Sequence, residues 1–413
     1  MPWYIGLSCS ILVILGGLHK KVNIGLIMIA GALLLGALQG LPLPEFFATA
    51  RDSLLDRTTL VLITSVVLLG ILGHILEATG SLSEMFQSIE AMVDDLRLVT
   101  AALPMFVGML TVPGGAIFSA PMCAVLGNRL NMPAHRQASA NIWFRHILYL
   151  MLPLFPAMIL ASQLSGVSVN RFMLHNIHLT VIGTVGAYFY LFRGLPKNVT
   201  KSGLNLNWDM VKFFLRSVAP LLLILTLVVL FNVLFPVTLV AAILLALLNY
   251  LPRYKPLEVF WHRMKTMLLP GLSPRVAIIV AGIMFYKEML EVTGAIYGFT
   301  GFLMTLGVPI IFLIAVVPFF VGALIGDNTA SVGILFPLFM PLLPVGGSTY
   351  SAYLAFLFVS SSVGHILSPA HPCFSLTKEY FKVEFKGILK DMLPLLALVM
   401  TVALITTLFF GYY

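Results

Sequence analysis

The sequence predicts an all-α polytopic membrane protein with ten transmembrane helices plus two re-entrant hairpins, arranged as two inverted-topology repeats of five spans and one hairpin each. Three observations carry that prediction. Of the 413 residues, 60% are hydrophobic and 10% charged, against about half and about a quarter in soluble domains, and the mean hydropathy is +1.02. No Asp, Glu, Lys or Arg occurs between Arg171 and Arg193, between Arg216 and Arg253, or after Asp391. Apolar runs of about 20 residues have the length of spanning helices, whereas barrel strands are about ten residues long and alternate. The third observation is an internal repeat, set out below.

In chain order, the first-half spans are Trp3 to Leu18, Ile24 to Leu38, Thr58 to Leu76, Asn141 to Ser162 and Phe172 to Phe192. The second-half spans are Val218 to Phe235, Val237 to Leu251, Val276 to Leu290, Tyr350 to Pro372 and Met392 to Phe410. The opening span has no basic residue before it and Lys20-Lys21 after it, the reverse of a cleavable signal, so it reads as a retained helix. Glu45 to Asp56 and Leu82 to Leu96 are amphipathic and are expected to lie at the interface. Two segments do not fit a plain span. Leu98 to Asn128 is uncharged for 31 residues and is interrupted by Pro113-Gly114-Gly115, and Val308 to Met340 is interrupted at Gly326-Asp327-Asn328. Both read as re-entrant hairpins, since irregular backbone at membrane depth needs protein or a watery cavity around it.

Alternate threading of these spans puts 18 of the 24 Lys and Arg residues on one side and Arg51, Arg57 and Arg171 on the other. The positive-inside rule makes the first side cytoplasmic, which places the chain in the cytoplasmic (inner) membrane with both termini outside. The net charge of +8 therefore reflects topology, and no nucleic-acid partner is expected; the lipid bilayer is the partner. Cys9, Cys123 and Cys373 have no paired spacing and suggest neither disulfides nor a thiolate metal site.

The repeat is visible at a fixed offset. Leu76-Glu77-Ala78-Thr79-Gly80 recurs 214 residues later as Leu290-Glu291-Val292-Thr293-Gly294, and Pro104 to Leu110 recurs at the same offset as Pro318 to Leu324. A weaker match at an offset of 219 relates His146-Ile147-Leu148 and Pro153 to His365-Ile366-Leu367 and Pro372. The first repeat occupies 1–200 and the second 209–413. Five spans are an odd number, so the second copy enters from the opposite side. Inverted repeats of this kind are characteristic of secondary transporters, whose sites form at broken helices near the midplane.

The residues able to carry chemistry lie at the hairpin tips and in the spans that follow. At the first tip, Pro113, Gly114, Gly115 and Ser119 open a helix whose N-terminus favours an anion; the alternative is a flexible turn. At the second tip, Asp327, Asn328 and Thr329 offer oxygen ligands, and an acid within a membrane segment marks a cation or proton site, or half of an ion pair with Lys287. The spans after the hairpins look broken: Ser360-Ser361-Ser362-Val363-Gly364-His365 is followed by Ser368-Pro369-Ala370-His371-Pro372, and the repeat aligns the former with Asn141 to His146. Arg145 would then sit near the first tip, where a guanidinium can hold a carboxylate in two hydrogen bonds, or it snorkels to the cytoplasmic face. His146, His365 and His371 are either a proton relay or structural. Glu77 and Glu291 precede Thr-Gly pairs and read as helix ends.

With five spans, a hairpin after the third, a broken span next and an inverted second copy, the chain resembles the ion transporter superfamily, which includes divalent-anion/sodium symporters and citrate, gluconate and C4-dicarboxylate carriers. Asp327-Asn328-Thr329 is similar to the Ser-Asn-Thr signature at those tips, while Val112-Pro113-Gly114-Gly115 replaces it at the first, against a two-sodium mechanism. Within that superfamily, the size and the Pro-Gly-Gly and Ser-Pro-Ala-His-Pro segments look most like an integral-membrane family known as domain of unknown function 401. The resemblance implies a homodimeric elevator in which 1–97 and 209–304 form the scaffold and 98–200 and 305–413 the transport unit.

These readings converge on a secondary transporter of a small organic anion, a carboxylate, coupled to Na+ or H+, and on no catalytic activity. Gly114, Gly115, Ser119, Asn141 and Arg145 would face the anion; Asp327, Asn328, Thr329 and the Ser360 to Ser362 backbone would hold the cation, with Gly364, His365 and His371 beside them. Pro113, Asn328, Thr329, Ser361 and Ser362 complete the substrate side. No resident metal or organic cofactor is expected beyond the coupling ion. The rivals are a cation/proton antiporter, which needs Asp327 and not Arg145, an intramembrane enzyme using Asp327 with His365 or His371, and a channel. The chain has no Walker phosphate loop, which argues against direct ATP hydrolysis, and no His-Glu-x-x-His or nucleophile elbow, which argues against the enzyme.

Overall fold

The computed structural model describes residues 2–20, 22–109, 115–196, 208–250, 268–344 and 346–411. Among these residues every regular element is a helix. Arg57–Ala78, Trp208–Val229, Gly347–Phe381 and Phe385–Phe409 are long and apolar enough to cross a membrane by length and composition, and shorter apolar helices such as Trp3–His19 and Ile24–Gln39 accompany them. The protein is an all-helical, polytopic membrane protein. Its two amphipathic stretches are helices, Leu43–Leu55 and Ser81–Met92.

Both uncharged segments fold as helical hairpins. The first has an outer arm Leu96–Gly108 and an inner arm Ala116–Arg129; the second has Ile310–Ile325 and Asn328–Phe339. Asp95 starts the first outer arm by accepting the Arg97 backbone N–H at 3.0 Å, and its carboxylate also takes the Arg97 Nη2 at 2.7 Å. The N-terminal N–H groups of a helix have no intrahelical acceptor, and the cap supplies one.

Each outer arm packs on the broken span of its own half, Leu96–Gly108 on Ala134–His146 and Ile310–Ile325 on Gly347–Leu367. Each inner arm crosses to the other half, Ala116–Arg129 to Pro372–Phe381 and Asn328–Phe339 to Pro156–Ser165. A second set of helices packs mainly among itself: Ile24–Gln39 against Pro274–Val292, Arg57–Ala78 against Phe235–Tyr250, and Ser81–Met92 against Trp208–Val229.

The repeated Leu-Glu-x-Thr-Gly motifs take the same local shape. Thr79 and Thr293 each return their hydroxyl to the carbonyl four residues back, at 2.7 and 2.6 Å. Gly80 and Gly294 follow at φ +74 and +69, a left-handed turn that a side chain disfavours. The expected helix ends are present, and the connecting turn leads straight into Ser81–Met92 and Ala295–Thr305.

The spans after the hairpins break elsewhere than expected. The first is helical over Ala134–His146, tightens to a 3-10 turn at Ile147–Leu150 and resumes at Pro156–Ser165. Pro153 and Pro156 cannot donate a backbone hydrogen bond and disfavour helical geometry in the residue before them. In the second half, Ser360 to Gly364 lies inside the unbroken helix Gly347–Leu367, and the break falls at Ser368 to His371, before Pro372–Phe381. This corrects the expectation that the Ser360 to Ser362 backbone offers free carbonyls to a cation. Burial of Val359 to Leu367 on all sides outweighs weak intrinsic propensity, and Ser362 returns its hydroxyl to the Phe358 carbonyl at 2.8 Å. The prolines Pro369 and Pro372 are what stop the helix.

Candidate functional site

The first hairpin closes around Arg145. A methyl group on Gly108, the last residue of the outer arm, would collide with the Arg145 carbonyl oxygen. One on Gly115, at the start of the inner arm, would collide with the guanidinium Nη2 and lie 2.9 Å from its Cζ. Only glycines permit this approach. Arg145 is 1% exposed, and its Nε and Nη1 have no hydrogen-bond partner within the protein. It therefore lies at the first tip and does not snorkel. Pro113 and Gly114, assigned to the anion, lie outside the described residues.

Ser119, one turn into the inner arm, is fully buried and its hydroxyl has no partner within the protein. Asn141 is engaged elsewhere: its amide donates to the Thr377 hydroxyl at 2.9 Å and its oxygen lies 3.7 Å from the Cys123 sulfur. Asn141 thus ties the first broken span to the second.

The second tip is bonded internally. Asp327 caps the inner arm by accepting the Ala330 N–H at 2.9 Å, and Ser331 returns its hydroxyl to the Asp327 carbonyl at 2.8 Å. The Asn328 amide donates to the Ser362 hydroxyl at 3.0 Å, and the Ser361 hydroxyl donates to the Asn328 oxygen at 3.2 Å. Ser360 points to the outer arm and donates to the Ala315 carbonyl at 2.6 Å. Thr329 is half-buried beside them. Gly364 contributes close packing: a methyl there would strike the Phe319 carbonyl oxygen. The ion pair proposed between Asp327 and Lys287 does not form. Lys287 pairs with Glu291 at 3.0 Å and Glu288 at 3.5 Å instead, because helical spacing puts Glu291 one turn away.

Between the tips lies a cluster of rings. His146 Nδ1 sits 2.6 Å from the Ile142 carbonyl, and His146 Nε2 sits 2.8 Å from His371 Nε2. A carbonyl only accepts, so His146 carries its proton on Nδ1, and the His371 Nε2–H donates to the bare His146 Nε2. The His365 ring is centred 4.1 Å from that of His371 and Tyr149 4.9 Å from His146. His365 Nδ1 is buried without a partner within the protein. Cys373 completes the cluster beside His146 and Arg145.

Arg145, His146, His365 and His371, distant in sequence, are thus brought together; the repeat alignment places Arg145 near the first tip and matches His146 with His365. Tyr149 and Cys373 were not anticipated. The His371-Pro372-Cys373 run was the one signal for the cysteine, since it sets two ligand-type side chains two residues apart immediately after a helix break.

Comparison with known proteins bears on the fold and the family. The crystal structure of the Alcanivorax borkumensis YdaH transporter, described as having an unusual topology, superposes with a TM-score of 0.66 at 16% sequence identity, covering 94% of this chain and 96% of that one. That likeness is one of fold. Among curated proteins none matches the sequence. Residues 5–410 match the family described as a protein of unknown function, DUF401, and the chain belongs to that family.

Proposed function

We propose that the protein is a secondary active transporter of a small organic anion, a carboxylate, driven by H+ or Na+. One observation carries this reading: a guanidinium buried to 1% exposure, clasped by the two ends of a re-entrant hairpin, with two of its donors unpartnered in the protein. A buried charge short of hydrogen-bond partners is costly, and a carboxylate with two oxygens matches the Arg fork in charge and geometry. The unpartnered Ser119 hydroxyl, on the inner arm of that hairpin, adds a further donor.

The inverted repeat and the tip motifs favour a place in the ion transporter superfamily, and the fold shared with a protein described as a transporter agrees with a carrier. In this reading 1–97 and 209–304 form a dimeric scaffold against which 98–200 and 305–413 move as an elevator unit. The His146–His371 contact at 2.8 Å favours H+ over Na+ as the coupling ion, because a buried imidazole pair shares a proton readily. Asp327, which caps the inner arm of the second hairpin, is the second proton candidate.

The test is uptake into proteoliposomes. A panel of mono-, di- and tricarboxylates is first screened by thermal stabilisation, since a ligand that binds only the folded state raises the melting temperature. Flux of the best ligand is then measured with an imposed proton or sodium gradient. Saturable uptake that is lost in Arg145→Ala supports the carrier. Gradient-driven cation exchange that survives Arg145→Ala and is lost in Asp327→Asn would establish the antiporter instead.

A further inference from the structure

We propose that His146, His371 and Cys373 form a binding site for a soft monovalent metal ion, copper(I). Their potential ligand atoms, two imidazole nitrogens and a thiol sulfur, lie within 4.8 Å of one another, and all three residues are buried. They come from two separate elements, the C-terminal end of Ala134–His146 and the start of Pro372–Phe381, whose packing is fixed by the surrounding hairpins. The site shares His146 and His371 with the proposed proton-coupling pair and lies beside Arg145, but it rests on geometry that holds whatever the protein transports.

The first argument is orientation. Metal-bound histidines generally donate their other ring N–H to a carbonyl or carboxylate, which fixes the tautomer and aims the lone pair. His146 already does so, with Nδ1 held by the Ile142 carbonyl at 2.6 Å. For His371, the Gly326 backbone interacts with the ring, and a shift of the ring proton to Nδ1 frees Nε2 in the same way. The two Nε2 atoms then face one another with their lone pairs, and the proton now between them occupies the place of the ion.

The second argument is charge. Thiolate and imidazole together suit copper(I) and zinc(II) by ligand softness. Arg145 beside Cys373 separates the two. When Cu+ binds, the Cys373 S–H bond breaks, an S–Cu bond forms, the proton leaves to solvent, and the His371 proton moves from Nε2 to Nδ1. One positive charge replaces another, so the buried site next to the guanidinium keeps its net charge and no electron is transferred. A divalent ion would add a further positive charge beside Arg145 in a low-dielectric environment. Three ligands about 2.0–2.3 Å from an ion are separated by roughly 3.5–4 Å in a trigonal arrangement, so the histidine pair opens slightly and the sulfur closes in.

The experiment uses the full-length purified protein in detergent with any affinity tag removed. Cu+ is supplied anaerobically with ascorbate and titrated against a chromophoric copper(I) chelator, with Ag+ as a redox-inert probe and Zn2+ as the divalent control. The expected result is one Cu+ or Ag+ per chain, a Zn2+ affinity at least about ten-fold weaker, and at least a ten-fold loss of Cu+ affinity in Cys373→Ser and in His371→Gln. Cys9→Ser, outside the cluster, should bind as the wild type does. Absence of stoichiometric uptake by the wild type overturns the proposal without reference to any variant. Uptake retained in both Cys373→Ser and His371→Gln, or Zn2+ bound as tightly as Cu+, overturns it as well.

Discussion

The two hairpin tips are built from equivalent parts of a repeat and have solved the problem of buried polar groups in opposite ways. At the second tip, Asp327, Asn328, Ser331, Ser361 and Ser362 bond to one another or to nearby backbone. At the first, Arg145 and Ser119 keep donors without partners in the protein. Both tips share the same close approach of an outer-arm glycine to the following span, Gly108 on the Arg145 carbonyl and Gly322 on the Ser361 carbonyl. The scaffold of the tip is therefore common, and the difference lies in which polar groups were placed on it. A tip that satisfies itself is stable when empty; one that holds a buried guanidinium with two unpartnered nitrogens is poised for an anion.

The largest expected effect is on Arg145. Losing one member of a buried charge pair costs about 2–5 kcal/mol of binding, so Arg145→Met should weaken the best carboxylate ligand by at least about 30-fold in calorimetric titration. The same substitution removes a buried charge with two unpartnered nitrogens, so the ligand-free protein should melt no lower than wild type and gain up to about 1–4 kcal/mol. A variant that is destabilised when empty would mean that Arg145 is already paired, and the contrast between the tips would fail.

Asn328→Ala tests the other side of the comparison. It leaves the Ser361 hydroxyl without its acceptor in a buried site, an orphaned group that costs about 1–3 kcal/mol, while Ser362 keeps its bond to the Phe358 carbonyl. Chemical denaturation should show that loss with little change in carboxylate affinity. A larger effect on affinity than on stability would move the ligand site to the second tip.

The shared scaffold predicts matched costs for its two glycines. Gly108→Ala and Gly322→Ala each force a methyl group onto a backbone carbonyl, and overpacking of this kind costs about 1–3 kcal/mol. Their melting temperatures should fall by similar amounts. A strong inequality would show that the two outer arms are not held alike.

Asp327 gives the smallest expected change. Asn caps a helix about as well as Asp, whereas Ala loses about 0.5–2 kcal/mol. Asp327→Asn should therefore keep the stability of the wild type, and any loss of gradient-driven uptake in that variant reports the carboxylate's charge and not its cap. Uptake and stability both unchanged would leave the coupling proton to the histidine cluster.

Much of this architecture was legible in the chain because its signals are local. Helical spans follow from apolar runs, the hairpins from long uncharged segments with Pro-Gly-Gly or Gly-Asp-Asn at their centres, and the helix ends at Gly80 and Gly294 from a motif that recurs. Hydropathy and turn chemistry act over one or two helical turns, so a single strand of text records them. The repeat carries further, since matching Asn141 to His146 with Ser360 to His365 puts Arg145 next to the first tip.

Other features were decided only in three dimensions. The serines at 360 to 362 look like breakers, yet neighbours on every side keep them helical, and the prolines after them make the break. Lys287 chose glutamates on its own helix over Asp327. Cys373, 227 positions after His146, joined it because Pro372–Phe381 packs on Ala134–His146 from the other half of the chain. Composition and periodicity by themselves determined a membrane-embedded, all-helical chain with two interrupted segments, since water and lipid sort residues by local polarity. Which buried donors found partners and which were left for a ligand depended on packing between distant elements, a property that no local pattern encodes.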